Sequence, residues 1–231
     1  MQQQKHAKRG IIILFIVFII STNHIQAQDD FGNGLGIQLA LPVQNATFSG
    51  EDFGEVKMGR QGFYFQLSRQ TYLRQNNLGF HSYKTIGLAL RSNNINIKEG
   101  QYSGTQLKIS AIELPITVGG YGRFFGVLPL GMNVGGYLAV PLQYKGTIKK
   151  TGAADYEFGN KYEKPLGYAG LLGNISLNFT VKNMGVVRLL AGGHIGLIPA
   201  YRTAPEGSEP PYKTPLPRSF QLGAEIVFGK N

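Results

Sequence analysis

The sequence predicts an all-β protein, an eight-stranded antiparallel up-and-down transmembrane β-barrel. Three observations predict it: segments that alternate apolar with small or polar residues, aromatic residues at both ends of those segments, and connections that alternate between long and short. Outer-membrane barrels combine a lipid-facing apolar parity with aromatic girdles at both interfaces. The pattern indicates a fold and a compartment, and it names no chemical activity.

A secretory signal peptide is predicted at residues 1–27. Its first nine residues include Lys5, Lys8 and Arg9 and no acid, and residues 11–20 form an unbroken apolar run. That run is about half of the roughly 20 residues that a spanning helix needs, so an uncleaved anchor helix is the weaker alternative. We expect cleavage after Ala27, which leaves residues 28–231 as one outer-membrane barrel domain.

Charge and cysteine content exclude several classes of site and partner. The chain has no cysteine, which excludes disulfides and cysteine-based metal or redox sites. Its net charge is +10; the leader contributes three cations and no acid, so the remainder keeps +7. These charges are spread over loops. They form no contiguous basic patch beside a helix or strand that could contact bases, so we expect no nucleic-acid partner. A cationic rim facing lipopolysaccharide phosphates is one use for them, and solubility is the other.

The first four strands are predicted from their apolar parity. The first ends at Pro42, and Lys84 lies on the apolar parity of the third as a misfit. In the fourth, the parity changes after Ile109, so we expect a bulge near Ser110 or Ala111. The apolar residues, strand by strand, are Leu35, Ile37, Leu39 and Leu41; Phe63, Phe65 and Leu67; Phe80, Ile86, Leu88 and Leu90; Ile112, Leu114, Ile116 and Val118.

The last four strands repeat the alternation, with glycine, asparagine, serine and tyrosine on the complementary face. Each strand is expected to be near the length that a tilted membrane strand needs. Their apolar residues are Met132, Val134, Leu138, Val140 and Leu142; Ala169, Leu171, Ile175 and Leu177; Val187, Leu189, Ala191, Ile195 and Leu197; Phe220, Leu222, Ala224 and Ile226.

The connections fix the orientation. They run long, short, long, intermediate, long, short, long, so with both termini periplasmic every long loop is extracellular. A soluble lipocalin-like barrel, with the apolar parity inside, is the alternative. The aromatic girdles are predicted at Phe31, Phe80, Phe179 and Phe228 on one rim, and at Phe63, Tyr144, Tyr201 and Phe220 on the other.

Six charged or titratable residues have inward parity. Charges inside a narrow barrel are costly unless they are paired, so we expect Arg188 to reach Glu225 on the neighbouring strand and Glu113 to join across the lumen. We interpret the group as a structural ion-pair plug; a gated proton or ion path is the alternative. The six residues are His81, Arg91, Glu113, Arg188, His194 and Glu225. Four tyrosines are also expected in the lumen and leave no open pore: Tyr64, Tyr83, Tyr137 and Tyr168.

No catalytic arrangement is predicted. His81 and Ser82 are adjacent in a strand, so they point to opposite faces and cannot form a nucleophile–base pair. The four histidines show no metal-ligand spacing, and no cofactor is implied. We therefore expect a non-enzymatic protein, with an outer-membrane lipid A-modifying enzyme as the alternative.

Three segments resemble PorT-like outer-membrane β-barrel proteins. Residues 111–116 resemble the Leu-Glu-Ile-Pro-Leu strand of that family, residues 131–142 its following glycine-rich strand, and residues 221–228 a closing strand. The chain departs from the usual insertion signal by continuing for three residues after Phe228. The resemblance implies an OmpA-like small barrel and, in some members, a role in protein secretion or gliding machinery, without an active site.

The partners follow from this assignment. We expect outer-membrane lipids and lipopolysaccharide around the barrel, and protein partners from a secretion or envelope complex. Because bilayer and packing constrain the two faces of the strands, recognition is expected in the long loops. Residues 145–165 mix lysines with aromatic residues, and residues 202–217 place Tyr212 on a proline-rich frame.

Overall fold

A computed structural model describes residues 33–42, 48–49, 61–75, 80–97, 100–124, 128–159, 163–181, 184–207 and 216–229. Within them no helix is long and apolar enough to cross a membrane. The predicted signal peptide and Phe31 lie outside the described residues. The strands are β1 (Gly34–Pro42), β2 (Phe48–Ser49), β3 (Gln61–Gln75), β4 (His81–Asn96), β5 (Gln106–Phe124), β6 (Leu128–Ile148), β7 (Tyr156–Phe158), β8 (Gly167–Val181), β9 (Gly185–Ala200) and β10 (Leu216–Gly229).

Eight of these strands close into a barrel. Each pairs antiparallel with the next in the order β1, β3, β4, β5, β6, β8, β9, β10, and β10 returns to β1. The closing ladder runs from the pair Gly34–Gly229 to the pair Pro42–Gln221. The short strands β2 and β7 lie beside β10 and β6. The predicted eight-stranded antiparallel up-and-down barrel is confirmed.

The barrel is apolar outside and polar inside. Leu138, Val140 and Ile175 are each at least 60% exposed, whereas Ala139 and Ser176 between or beside them are at most 5% exposed. The same alternation runs along every long strand, because successive strand residues face opposite sides. The soluble lipocalin-like alternative is wrong, because it needs the apolar parity inside. We call the exposed apolar ring the belt.

Two neighbouring strands rise far above the belt. β5 has 19 residues and β6 has 21, whereas a tilted strand crosses a membrane in about 9–11. The expectation that each strand is near membrane length is therefore wrong: β3, β4, β8, β9 and β10 also have 14 to 16 residues, and only β1, with nine, has that length among the eight barrel strands. We call the described residues 97, 100–109, 144–159 and 163–166 the wall. Its inner side is apolar and buried, with Ile97, Tyr102, Leu107, Ile109 and Ile148 at most 5% exposed.

The ladder between β5 and β6 shifts register where the sequence predicts a bulge. Ala111 pairs with Pro141 and Ser110 with Gln143, so the extra residue is Leu142 on β6. The expectation placed the parity change on β5, but that strand continues without one and its residues 107, 109 and 111 all face inward. The bulge instead turns Tyr144 inward, where it is 4% exposed. Tyr144 is therefore a wall residue and not a girdle residue.

The other aromatic residues expected at the rims differ in exposure. Phe63, Phe220 and Phe228 are about two-fifths exposed on the outer surface. Phe179 and Tyr201 are half-buried. The ring of Phe80 covers Gly120 and Gly122, where a Cβ atom would meet its carbons. Lys84, the misfit of the apolar parity, is exposed on the outer surface near the short-connection end.

Candidate functional site

The lumen is crossed near the short-connection end by a cluster around Arg188. Its Nη1 donates to Oε2 of Glu225 at 2.7 Å, and its Nε donates to Oδ1 of Asn178 at 3.0 Å. Its Nη2 donates to Oε1 of Gln70 at 2.6 Å, and the guanidinium lies 4.5 Å from the ring centre of Tyr83. These partners come from β10, β8, β3 and β4, so one side chain of β9 connects its own strand to four others. We call this group the lower hub.

A second cluster, the upper hub, surrounds Arg91 nearer the long loops. Arg91 Nε lies 2.9 Å from Oε1 of Glu113, and its Nη2 donates to Oε2 at 3.2 Å. Its Nη1 reaches Oγ of Ser219 on β10 at 3.4 Å, and its guanidinium lies 5.5 Å from the Tyr64 ring and 5.6 Å from the Tyr137 ring. Glu113 is therefore paired with Arg91 on the adjacent strand and not with Arg188 and Glu225.

Both hubs are buried, and each pairs one cation with one anion. The four side chains of the two ion pairs are between 0% and 5% exposed. A buried pair adds little net stability over apolar packing, but removal of one partner leaves a buried charge without compensation. The hubs therefore fill the lumen and cross-link its walls, which is the arrangement of a plugged barrel.

The two lumen histidines do not assemble a hydrolytic site. His81 is 2% exposed and its ring stacks on Tyr121 with centroids 4.7 Å apart. Ser82, the next residue, faces the opposite side of β4. His194 lies between Tyr64 and Tyr137 with centroids 4.9 and 5.7 Å away, and neither ring nitrogen has a hydrogen-bond partner among the described residues. The described residues contain no cluster of three His, Asp or Glu side chains suited to a metal ion.

The four tyrosines expected in the lumen all lie there. Tyr64, Tyr83, Tyr137 and Tyr168 are at most 4% exposed. Tyr137 packs edge-on against Tyr168 with centroids 6.0 Å apart. Tyr137 also lies over Gly170 of β8, where a Cβ atom would come within 2.5 Å of the phenol carbon and oxygen. Glycine at this inward position makes room for the aromatic filling.

The wall is a folded structure and not a bare extension of two strands. Glu163 is fully buried; its carboxylate accepts a hydrogen bond from the Tyr156 hydroxyl and another, at 2.8 Å, from the backbone N–H of Gly159. Across the top, the backbone N–H of Lys149 donates to Oγ1 of Thr105 at 2.8 Å. The backbone N–H of Thr151 donates to the Gln101 carbonyl, also at 2.8 Å. The last two contacts hold residues 149–151 against residues 101–105, and those of Glu163 hold its own loop to Tyr156 and Gly159.

The wall presents cations to solvent. Lys149 forms an ion pair with Asp155 at 2.8 Å, both about half exposed. The ammonium of Lys150 lies 5.9 Å from the ring centre of Tyr102. In the neighbouring loop, burial raises the pKa of the Tyr201 phenol to about 12. Tyr212 of the proline-rich loop lies outside the described residues.

Two features of this arrangement cannot be predicted from the sequence. Inward parity identifies Arg91, but adjacent inward charges on four strands allow several pairings, and only the register selects Glu113. Glu163 lies in a charged loop without periodicity, and no sequence signal distinguishes it from the exposed charged residues Lys149, Asp155 and Glu157 of that loop. Whether a loop carboxylate such as that of Glu163 accepts hydrogen bonds from the loop depends on how the whole loop folds.

No protein-family model and no curated protein sequence matches the chain. Among solved structures, the chain is similar to Ail, the attachment invasion locus protein of Yersinia pestis, with a TM-score of 0.40, 12% identity, and coverage of 86% of this chain and 99% of that one. A second structure, Ail in complex with the heparin analogue sucrose octasulfate, gives a TM-score of 0.38, 11% identity, and coverage of 85% and 97%.

Proposed function

We propose that this chain is a non-enzymatic integral protein of a bacterial outer membrane, a plugged barrel whose wall and long loops bind partners. One observation carries the proposal: the barrel surface is apolar while its lumen holds paired charges and hydrogen-bonding groups. Such a belt has no favourable contact in water and is what hydrocarbon requires of a barrel wall. A signal peptide over residues 1–27, with cleavage after Ala27, would deliver the chain to that membrane.

From this geometry we assign lipid contact, lumen filling and recognition to different parts of the barrel. The belt faces lipid, and the two hubs occupy the lumen, which leaves the wall and the loops for recognition. Because the wall is held by buried contacts such as those of Glu163, little ordering entropy is lost when a partner binds it. The proposed roles are structural, binding or secretion-accessory, in line with the PorT-like resemblance of residues 111–116 and 221–228.

The test combines membrane extraction with a gel assay. A closed barrel keeps its backbone groups paired within the wall and resists detergent unfolding. The protein should stay in the membrane pellet after alkaline carbonate washing and should migrate differently before and after boiling. Release into the wash together with identical migration would contradict the proposal.

The binding role has its own test. Deletion of residues 150–154 at the tip of the wall should leave the heat-modifiable form intact but reduce capture of envelope partners from native membranes. A matched deletion within residues 203–207 of the neighbouring loop separates the contributions of the two loops. If capture survives both deletions, recognition does not lie on this surface.

A further inference from the structure

The outer face of the wall carries an ordered sequence of side chains above the belt. The lowest cross-strand row is apolar and continues into the exposed bulge residue Leu142; the next row is neutral and hydrogen-bonding; the third is cationic. From the belt upward, the outward pairs of β5 and β6 are Ile112–Val140, Ser110–Gln143 and Lys108–Lys145. Such a gradient follows the depth profile of a lipid from acyl chain through its polar linkage to its headgroup.

The cationic row is electrostatically unfavourable by itself. Lys108 and Lys145 are directly opposite each other and both are exposed. Like charges in opposite positions of a ladder are destabilising. Neither lysine forms an ion pair within the described part of the chain. Glu157, the acid nearest by register, lies opposite Thr147 and so one row further from the belt. An anion bound between the two ammonium groups would remove the repulsion.

A third cation stands at the upper edge of the belt. The ammonium of Lys164 donates to the carbonyl oxygen of Leu142 at 3.3 Å, so the side chain lies across the bulge. Leu142 itself is 51% exposed. The bulge therefore brings an apolar side chain and an ammonium group to the same place on the outer surface.

We propose that this face of the wall binds the phosphate of a lipid headgroup in the outer leaflet, through Lys108 and Lys145 with Lys164 beside them. The proposal rests on the proposed function, which places the belt in the bilayer. Lys108 lies four positions before Ile112, about 13 Å along the strand, or about 9 Å along the membrane normal at a tilt of roughly 45°. The headgroup layer begins within that height, and lysine stems extend further along apolar surface.

The test is native mass spectrometry of the purified, membrane-assembled protein with lipid A in its phosphorylated and dephosphorylated forms. The protein should bind the phosphorylated form about tenfold more tightly, as expected for two exposed charge contacts. The double variant Lys108→Ala with Lys145→Ala should lose that preference, and Lys108→Arg with Lys145→Arg should keep it. The matched control, Lys149→Ala with Lys150→Ala, removes the same charge at the tip of the wall and should bind as the unaltered protein does.

Each outcome bears on a different claim. Equal loss of preference in the control variant would show general attraction of the basic wall and would overturn the site. An unchanged preference for phosphorylated lipid A in the double alanine variant of Lys108 and Lys145 would also overturn it. Full competition by excess inorganic phosphate would overturn it as well, because it would identify a site for free anions. Every sample is first checked for the heat-dependent gel shift. Absence of that shift in the unaltered protein would contradict the proposed function, whereas its presence with no phosphate preference contradicts this proposal alone.

Discussion

Arg188 on β9 and Gln70 on β3 are joined by a 2.6 Å hydrogen bond from Nη2 to Oε1. Along the closed sheet these strands are separated by β10 and β1, so the bond crosses the lumen. The same guanidinium holds Glu225 at 2.7 Å. One buried arginine thereby connects two strands that are not neighbours in the sheet, and it is also the counter-ion of a buried carboxylate.

Replacement of Arg188 by Met should destabilise the barrel strongly. The variant leaves Glu225 buried without its partner, which typically costs about 3–5 kcal/mol. The measurement is the urea concentration at which half of the protein loses the fast-migrating form on unheated gels. The double variant Arg188→Met with Glu225→Met should recover much of the loss, because it removes both charges. Arg218→Met, at an exposed arginine, is the matched control. An equal effect there would show that the buried contacts of Arg188 do not stabilise the barrel.

The plugged lumen should not conduct as a porin does. Arg91 with Glu113 and Arg188 with Glu225 lie at two heights of the lumen, and four buried tyrosines fill the space around them. Such filling leaves no continuous water path through a barrel of eight strands. Planar-bilayer recording of purified protein should show no sustained porin-sized steps. Regular large steps from several independent preparations would mean that the hubs open.

Gly170 should be far less tolerant of a methyl group than Gly173 on the same strand. A Cβ atom at Gly170 would come within 2.5 Å of the Tyr137 phenol and closer still to the Ile195 carbonyl oxygen. At Gly173, the nearest atom is 3.6 Å away, an ordinary contact. Gly170→Ala should lower the gel-shift temperature clearly, since overpacking costs about 1–3 kcal/mol. Gly173→Ala should leave it unchanged, and similar shifts for both would show that Tyr137 does not need the space.

Alternation along the strands is sufficient to predict the fold, but contacts that depend on register are not. The parity of residues such as Leu138 and Ile175 fixes which side faces out, because a strand has a period of two. Tyr144 shows the limit: one extra residue at Leu142 reverses the parity above it, and the sequence does not show which strand carries the bulge. The partner of Glu113 is similarly undetermined, because the sequence offers two inward arginines, Arg91 and Arg188, and only the strand register places Arg91 beside Glu113.

The buried Glu163 should control the order of the wall. Its carboxylate accepts hydrogen bonds from the Tyr156 hydroxyl and the Gly159 amide. In Glu163→Ala both donors lose their acceptor, so hydrogen exchange of the Gly159 amide should accelerate about tenfold or more. Glu157→Ala, at an exposed acid of the same loop, is the control. Unchanged exchange in the Glu163 variant would show that other contacts hold the loop.

Lipid exposure of the belt decides whether this barrel lies in a membrane. Because the chain has no cysteine, a single introduced cysteine carries a spin label at one known place. Labels at Leu171 and Ile175, 52% and 62% exposed on β8, should collide readily with oxygen dissolved in the bilayer and hardly with an aqueous nickel chelate. A label at Thr151, on the tip of the wall, should show the reverse. If the labels at Leu171 and Ile175 meet the nickel chelate as readily as the label at Thr151, the belt does not lie in the membrane.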